Sequence, residues 1–529
     1  MAARLRLILV LIGLLAVALA PASRAFAHAA LNGASPADGS VLPSAPSELT
    51  LTFSEPVSPL ALRLIRPDGQ ATPLERADLR DRTLVIAAPA GLGEGTHVLS
   101  WRVVSADGHP VGGSVLFSIG APSPTAPTAG TQTDAMVRVL LWASRVALYL
   151  GLFIGCGGAA FAAWVAPLPA RARGPVTAAL LLGLVALPLS LAAQGLDALG
   201  ADLRALFQPP VWRAALGTSL ASTLAIAAAA LASCLLALRL AGGLGKIAGL
   251  FGVGLAGLAL ASSGHASAAS PQALMRPAVF LHAAGIALWA GALLPLIRAL
   301  RQPDAAATLR RFSWRIPAIV AMLLGSGLVL AVVQVERPAA LIDTDYGRVL
   351  LAKLGLVALV LGLAALNRWR LTSQVQAGRL SACHLMARIV AVELVLMLAI
   401  LGTAALWRFT PPPRALAIAA AQPANIHIHT LTAMADVTLT PGRAGPIVVA
   451  IVLMNGDFGP LPAKELTLSF ANPTAGIEAI ERPAIRGADG VWRIEGLSLP
   501  RHGRWSVELA ILISDFEMIR LTETVEIRP

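Results

Sequence analysis

Eight apolar stretches between residues 136 and 408, most of them about 20 residues or longer, limit what this chain can fold into. A stretch of that length spans the ~30 Å hydrocarbon layer of a bilayer as a helix, a form in which the backbone satisfies its own hydrogen bonds. The expected limits are 136–164, 175–196, 212–238, 245–263, 274–298, 315–334, 346–367 and 387–407. With 56% hydrophobic and 13% charged residues, the 529-residue chain is too apolar for water alone. Its formal charge of +12 does not call for nucleic acid, because the basic residues sit in short loops between apolar runs. Loops after helices 1, 3, 5 and 7 carry most of them, from Arg171 and Arg173 to Arg368 and Arg370. The other side holds only Arg204, Arg213, Arg276, Arg337 and Arg348. The richer side is expected in the cytoplasm. Eight crossings then put both flanking regions on the exported, periplasmic face of the inner membrane.

The flanks read as β structure. Residues 28–120 hold short alternating runs such as Glu48–Phe53, His97–Val104 and Gly113–Ile119, separated by Pro67-Asp68-Gly69 and Ala106-Asp107-Gly108 turns. This pattern predicts a small antiparallel sandwich or barrel. Residues 121–135 form a proline-rich tether, residues 409–425 a linker after the helices, and 426–529 a second exported sandwich. Residues 1–27 read as a secretory leader: Arg4 and Arg6, an apolar run from Leu7 to Ala20, and Ala25-Phe26-Ala27 as the cleavage site. The three cysteines, Cys156, Cys234 and Cys383, lie in or beside the apolar region without metal-finger spacing. Disulfide scaffolding of the exported parts is therefore excluded, and a thiolate copper site is not expected.

Cleavage after Ala27 would make His28 the first residue. Its free amine and ring Nδ1 then chelate one ion, a donor set suited to copper(II). Asp107 and His109 share a face of an extended segment and offer further ligands; by itself Asp107-Gly108 also reads as an ordinary turn. In the apolar region, His265 lies just past the exported end of helix 4, and His282 about two turns into helix 5 from the same side. Both are membrane metal candidates, with Met275 as a nearby thioether. The bland alternative is a solvated loop for His265 and a satisfied carbonyl for His282. Arg145, Lys353 and Glu393 are the remaining intramembrane charges, and opposite chain directions bring Arg145 and Glu393 to a similar depth as an expected pair. In the last domain His427 and His429 are two apart on a strand, with Met434 close in sequence. They form a third candidate site, or simply an exposed strand face.

Several motifs tie these regions to known families. Residues 28–120 resemble the periplasmic copper carrier CopC through His28, Ser35-Pro36-Ala37-Asp38-Gly39, Thr52-Phe53-Ser54-Glu55-Pro56-Val57 and Ser105–Gly113. Residues 136–408 resemble the CopD membrane domain through Ser263-Gly264-His265-Ala266, His282, Trp289-Ala290-Gly291 and Tyr346-Gly347-Arg348. The C-terminal part is similar to YtkA-like domains through Leu439-Thr440-Pro441-Gly442 and Gly503-Arg504-Trp505. The resemblance implies a CopC–CopD fusion, with His28, Asp107 and His109 as copper(II) ligands. Some CopC proteins carry a methionine-rich copper(I) site. Residues 28–120 contain no methionine, so a copper(II)-only domain is expected, with copper(I) confined to the membrane.

The expected function is capture of copper(II) outside and its passage through membrane histidines to the cell. There is no phosphate-binding Gly-x-x-x-x-Gly-Lys motif, so ATP-driven pumping by this chain is excluded, and no catalytic nucleophile–base pair is discernible. Two other readings stay open. One is binding and delivery without translocation, serving exported copper donors or acceptors. The other is a haem-containing copper reductase using His265 and His282.

Overall fold

The computed structural model describes residues 29, 31–36, 40–53, 55–74, 76–104, 110–123, 134–262, 264–421, 423–430, 432–456 and 459–528. The leader, His28, Asp107 and His109 lie outside these residues, as do the side chains of His265 and His429.

The N-terminal strands are β1 (Leu31–Ser35), β2 (Ser40–Leu42), β3 (Glu48–Phe53), β4 (Ser58–Ile65), β5 (Ala71–Pro73), β6 (Ala77–Arg80), β7 (Thr83–Ala87), β8 (Gly95–Val104) and β9 (Pro110–Ile119). They form two facing sheets, β1-β3-β7-β6 and β2-β9-β8-β4-β5. The period-two pattern sends Leu49, Leu51 and Phe53 of β3 fully inward, where Phe53 meets Trp101 edge to face at 5.1 Å. Such a pair adds to burial through its ring quadrupoles. β8 and β9 pair without interruption from Gly95↔Ile119 to Val104↔Pro110.

Among the described residues, eight helices are long and apolar enough to cross a membrane. They are α1 (Ala135–Trp164), α2 (Ala170–Leu199), α3 (Ser219–Ala237), α4 (Gly242–Ala261), α5 (Gln272–Ala299), α6 (Ala305–Val335), α7 (Asp345–Leu366) and α8 (Leu380–Ala405). Burial sorts them: the apolar windows of α1 and α5 are 67% buried, those of α6 and α7 only 11%. The first pair forms the bundle centre and the second faces the bilayer. Small residues make the centre dense. Gly157 of α1 lies against the Ala287 carbonyl and Gly291 of α5, and Gly151 lies against Gly183 of α2. Close backbone approach of this kind drives helix association where lipid is as apolar as leucine. Gly151 belongs to a π-helical stretch, Leu150–Gly155, that interrupts α1.

The C-terminal strands β10 (Ala424–His429), β11 (Ala433–Thr440), β12 (Gly445–Asn455), β13 (Glu465–Asn472), β14 (Ile477–Pro483), β15 (Ile485–Arg486), β16 (Trp492–Leu499), β17 (Gly503–Ser514) and β18 (Glu517–Ile527) make a second two-sheet domain. Its sheets are β10-β11-β12-β16-β15 and β14-β13-β17-β18, closed over a core that includes the fully buried Trp505.

Both β domains sit at the same end of the bundle, since α1 starts there and an even number of crossings returns α8 to it. The N-terminal domain is attached to that end. Arg102 of β8 donates from Nη1 to the carbonyl of Asp197 in the last turn of α2, and packs beside Gly200, whose φ of +61° closes the helix. A cation on terminal carbonyls is favoured by the helix dipole. Burial pushes the Arg102 guanidinium below its ordinary value; Asp197 opposes that effect and Arg63 adds to it. The Asp197 carboxylate accepts in turn from Nη2 of Arg408, just past α8. A β domain and two membrane helices thus meet at one residue.

Candidate metal centres and the polar chamber

His282 is ten residues from the start of α5, about 15 Å along the axis. This is nearly three turns rather than two, in the half of α5 nearest the β domains. Its Nδ1 is 3.1 Å from the Leu323 carbonyl of α6, and 3.4 Å from Ser326 Oγ. The adjacent Gly327 leaves room for the ring, because a Cβ there would stand 2.9 Å from Cε1. A carbonyl accepting from Nδ1 fixes the tautomer in which Nε2 carries the lone pair, the arrangement found at metal-bound histidines. The sequence offered two roles for His282, carbonyl partner or metal ligand. One ring has a nitrogen for each.

His265 opens a four-residue helix, His265–Ala268, beyond the end of α4. Its backbone is therefore at the β-domain end, not at the depth of His282. Met275 is fully buried in the first turn of α5.

The expected Arg145–Glu393 pair does not form. Glu393, in the middle of α8, instead accepts from Asn367 Nδ2 at 2.8 Å, with both residues buried. Arg145 faces another way. It lines a cavity of about 240 Å³ at the β-domain end, together with Tyr149, Gln194, Tyr346, Arg408 and Thr410. Gly264 and Ala266, the neighbours of His265, line the same chamber. Tyr346 stacks on Trp407 at 5.1 Å, and Lys353 holds its ammonium 4.7 Å from that indole centroid. The chamber's lining comes from all eight helices and from the segments after α4 and α8, so no local pattern announced it.

In the C-terminal domain, His427 and Asp436 are directly opposite across the β10–β11 hairpin, and Nδ1 lies 2.5 Å from Oδ1. Histidine oriented by carboxylate is a recurrent metal-site arrangement. The sequence reading missed Asp436, although counting back through the short hairpin would have placed it opposite His427. Met434, two residues before Asp436 on the same face of β11 and opposite His429 across the hairpin, is fully buried. The pair lines a cleft shared with Leu31, Gly33 and Thr52 of the N-terminal domain; Leu31 is three residues after His28. His97, off the copper motif, is a core residue with Nε2 2.9 Å from the Gly93 carbonyl and its ring stacked on Phe117.

The fold also brings together two cysteines 78 residues apart. Cys156 Sγ is 3.9 Å from the Ala230 carbonyl, Cys234 Sγ is 4.0 Å from the Cys156 carbonyl, and both thiols are buried. Among the described residues, no cluster of three or more His, Cys, Asp or Glu is arranged to hold a metal ion.

Comparison with known proteins accounts for most of the chain. Residues 31–120 match the CopC domain, 136–275 the N-terminal domain of copper resistance protein D-like proteins, and 306–407 copper resistance protein D. The copper transport protein CutJ of Bacillus subtilis (strain 168) is 26% identical over 94% of this chain and 96% of its own length. Copper resistance protein C of Xanthomonas campestris pv. juglandis is 35% identical over 20% of this chain and 90% of its own. Among solved structures, CopC from Methylosinus trichosporium OB3b is 28% identical, covering 18% of this chain and 98% of its own, with a TM-score of 0.16. The methionine-rich PcoC of Escherichia coli is 27% identical, covering 18% and 99%, also with a TM-score of 0.16. These relatives are named for copper transport or resistance, not for catalysis. With both modules in one polypeptide and a further β domain after them, the chain belongs to the CopC–CopD copper-resistance family.

Proposed function

We propose that this protein captures copper(II) at the exported face through His28, Asp107 and His109 and passes it into the helical bundle, with His282 as a ligand on the inward route. The observation that carries this reading is the attachment of Arg102 to the end of α2. Arg102 is two residues before Val104, the end of β8, so the strand end that leads in sequence to Asp107 and His109 lies within about 10 Å of the bundle surface. Copper released there has a short path to the bundle. His282, with Nδ1 engaged by a carbonyl, offers Nε2 as a neutral donor for copper in either oxidation state. Both β domains lie on the periplasmic side, and the basic loops lie in the cytoplasm.

The test is copper content of cells lacking the protein, complemented with wild type, His28→Ala or His282→Ala under limiting copper. Wild type raises cell copper, and both variants lose the gain. Purified His28→Ala loses tight copper(II) binding by the N-terminal domain, whereas His282→Ala keeps it. Unchanged uptake in His282→Ala overturns the membrane relay. If no version changes cell copper while exported copper enzymes lose metal, the protein delivers copper and does not import it.

A further inference from the structure

A guanidinium inside a bilayer costs several kcal/mol unless it is paired or solvated in a cavity. Arg145 is ten residues into α1, about 15 Å from the helix start. Among the described residues it makes no hydrogen bond or ion pair, and it borders the polar chamber. Arg408 borders the same space, and Lys353 stands over Trp407 in its wall. Against these three cations the nearby acid is Asp197, already engaged by Arg408 and, through its carbonyl, by Arg102. No Asp or Glu lines the chamber among the described residues. The rest of the wall is rich in neutral donors: the hydroxyls of Tyr149 and Tyr346, the Gln194 amide, and Thr410 Oγ1, which is buried without a hydrogen-bond partner.

We propose that this chamber binds a small, doubly charged oxyanion, held by the Arg145 and Arg408 guanidinium groups with Thr410 Oγ1 as an added donor. The fork of a guanidinium matches two oxygens of a carboxylate or a phosphate, and two negative charges offset most of the excess of cations over the one nearby acid. The cavity of about 240 Å³ accommodates an anion of a few heavy atoms with its remaining water. The anion gives the route into the bundle a character the histidines do not. An electropositive chamber repels a bare copper ion, and the same chamber filled by an oxyanion admits copper as a neutral or anionic complex. The site stands apart from the import reading, because it concerns Arg145 and Arg408 and is measured without copper.

The experiment uses the full-length, copper-free protein in lipid nanodiscs, titrated calorimetrically with malonate and, separately, with inorganic phosphate. At least one binds wild type, and its affinity falls tenfold or more in Arg145→Gln. Arg145→Lys, which keeps the charge and loses the fork, falls between. Preference for malonate or for phosphate identifies the ligand as a carboxylate or a phosphate. Thr410→Val, on a loop outside the helix packing, weakens binding without changing the melting temperature, so the proposal stays testable if Arg145→Gln does not fold. Copper(II) binding by the N-terminal domain is unaffected in every variant, which separates failure of this site from failure of the import reading. Absence of binding to wild type by both anions at millimolar concentration, or equal affinity in wild type and Arg145→Gln, overturns the proposal.

Discussion

Replacing Gly157 by alanine adds one methyl group at the seam between α1 and α5. The added Cβ would stand 2.7 Å from the Ala287 carbonyl carbon and 2.9 Å from Gly291 Cα. Ordinary carbon contacts need about 3.5–4.0 Å. All of these neighbours are backbone, and the Ala287 carbonyl oxygen is closer still, so no side chain can rotate away and the two helices must part. Overpacking of this kind costs about 1–3 kcal/mol, and the two most buried helices of the bundle share it. Gly355 of α7 is the matched control, because it is exposed and a Cβ there meets nothing within 4 Å. Gly355→Ala is expected to be neutral or to stabilise by up to about 1 kcal/mol through helix propensity. The assay is reversible unfolding in mixed micelles, read by circular dichroism, alongside copper uptake in cells. Since α1 carries Arg145 and α5 carries His282, Gly157→Ala is expected to lower uptake as well as stability. A Gly157→Ala protein within about 0.5 kcal/mol of wild type, or indistinguishable from Gly355→Ala, refutes the packing account.

Arg102→Ala removes a charge-assisted bond worth about 1.5–3 kcal/mol and is expected to free the N-terminal domain from the bundle. A spin-label distance between that domain and the end of α2 should broaden, and uptake should fall while copper(II) binding persists; an unchanged distance distribution counts against the attachment. In the C-terminal domain, the Arg493 guanidinium and the Val491 amide hold the exposed Asp489 carboxyl below the usual carboxylate range. A lowered folded value stabilises above the ordinary value of 3.8 and is lost as pH falls through the folded one. Asp489→Asn should therefore melt below wild type at pH 7, with the gap closing under acid, and a pH-independent gap would exclude this cause.

The parts of this protein governed by short-range periodicity were legible in the sequence. Hydropathy runs long enough to cross a bilayer yielded eight helices, because in lipid a helix is determined by its own composition and backbone bonds. Period-two runs with Gly, Pro and Asp turns yielded the two β regions for the same local reason. The motifs resembling CopC pointed to a copper protein before any contact was known, and the CopC match over residues 31–120 bears out that resemblance. What the tertiary structure decided were the pairings, since each depends on which helix neighbours which, and hydropathy is silent about that. Equal depth along opposite chain directions suggested Arg145 with Glu393. Packing gave Glu393 to Asn367, just past α7, and left Arg145 to a chamber assembled from distant segments. The His427–Asp436 pair and the Arg102–Asp197–Arg408 junction arose in the same way, from strand register and domain contact. Periodicity in the chain fixes which face of an element is apolar; only packing decides which polar group that face brings to another.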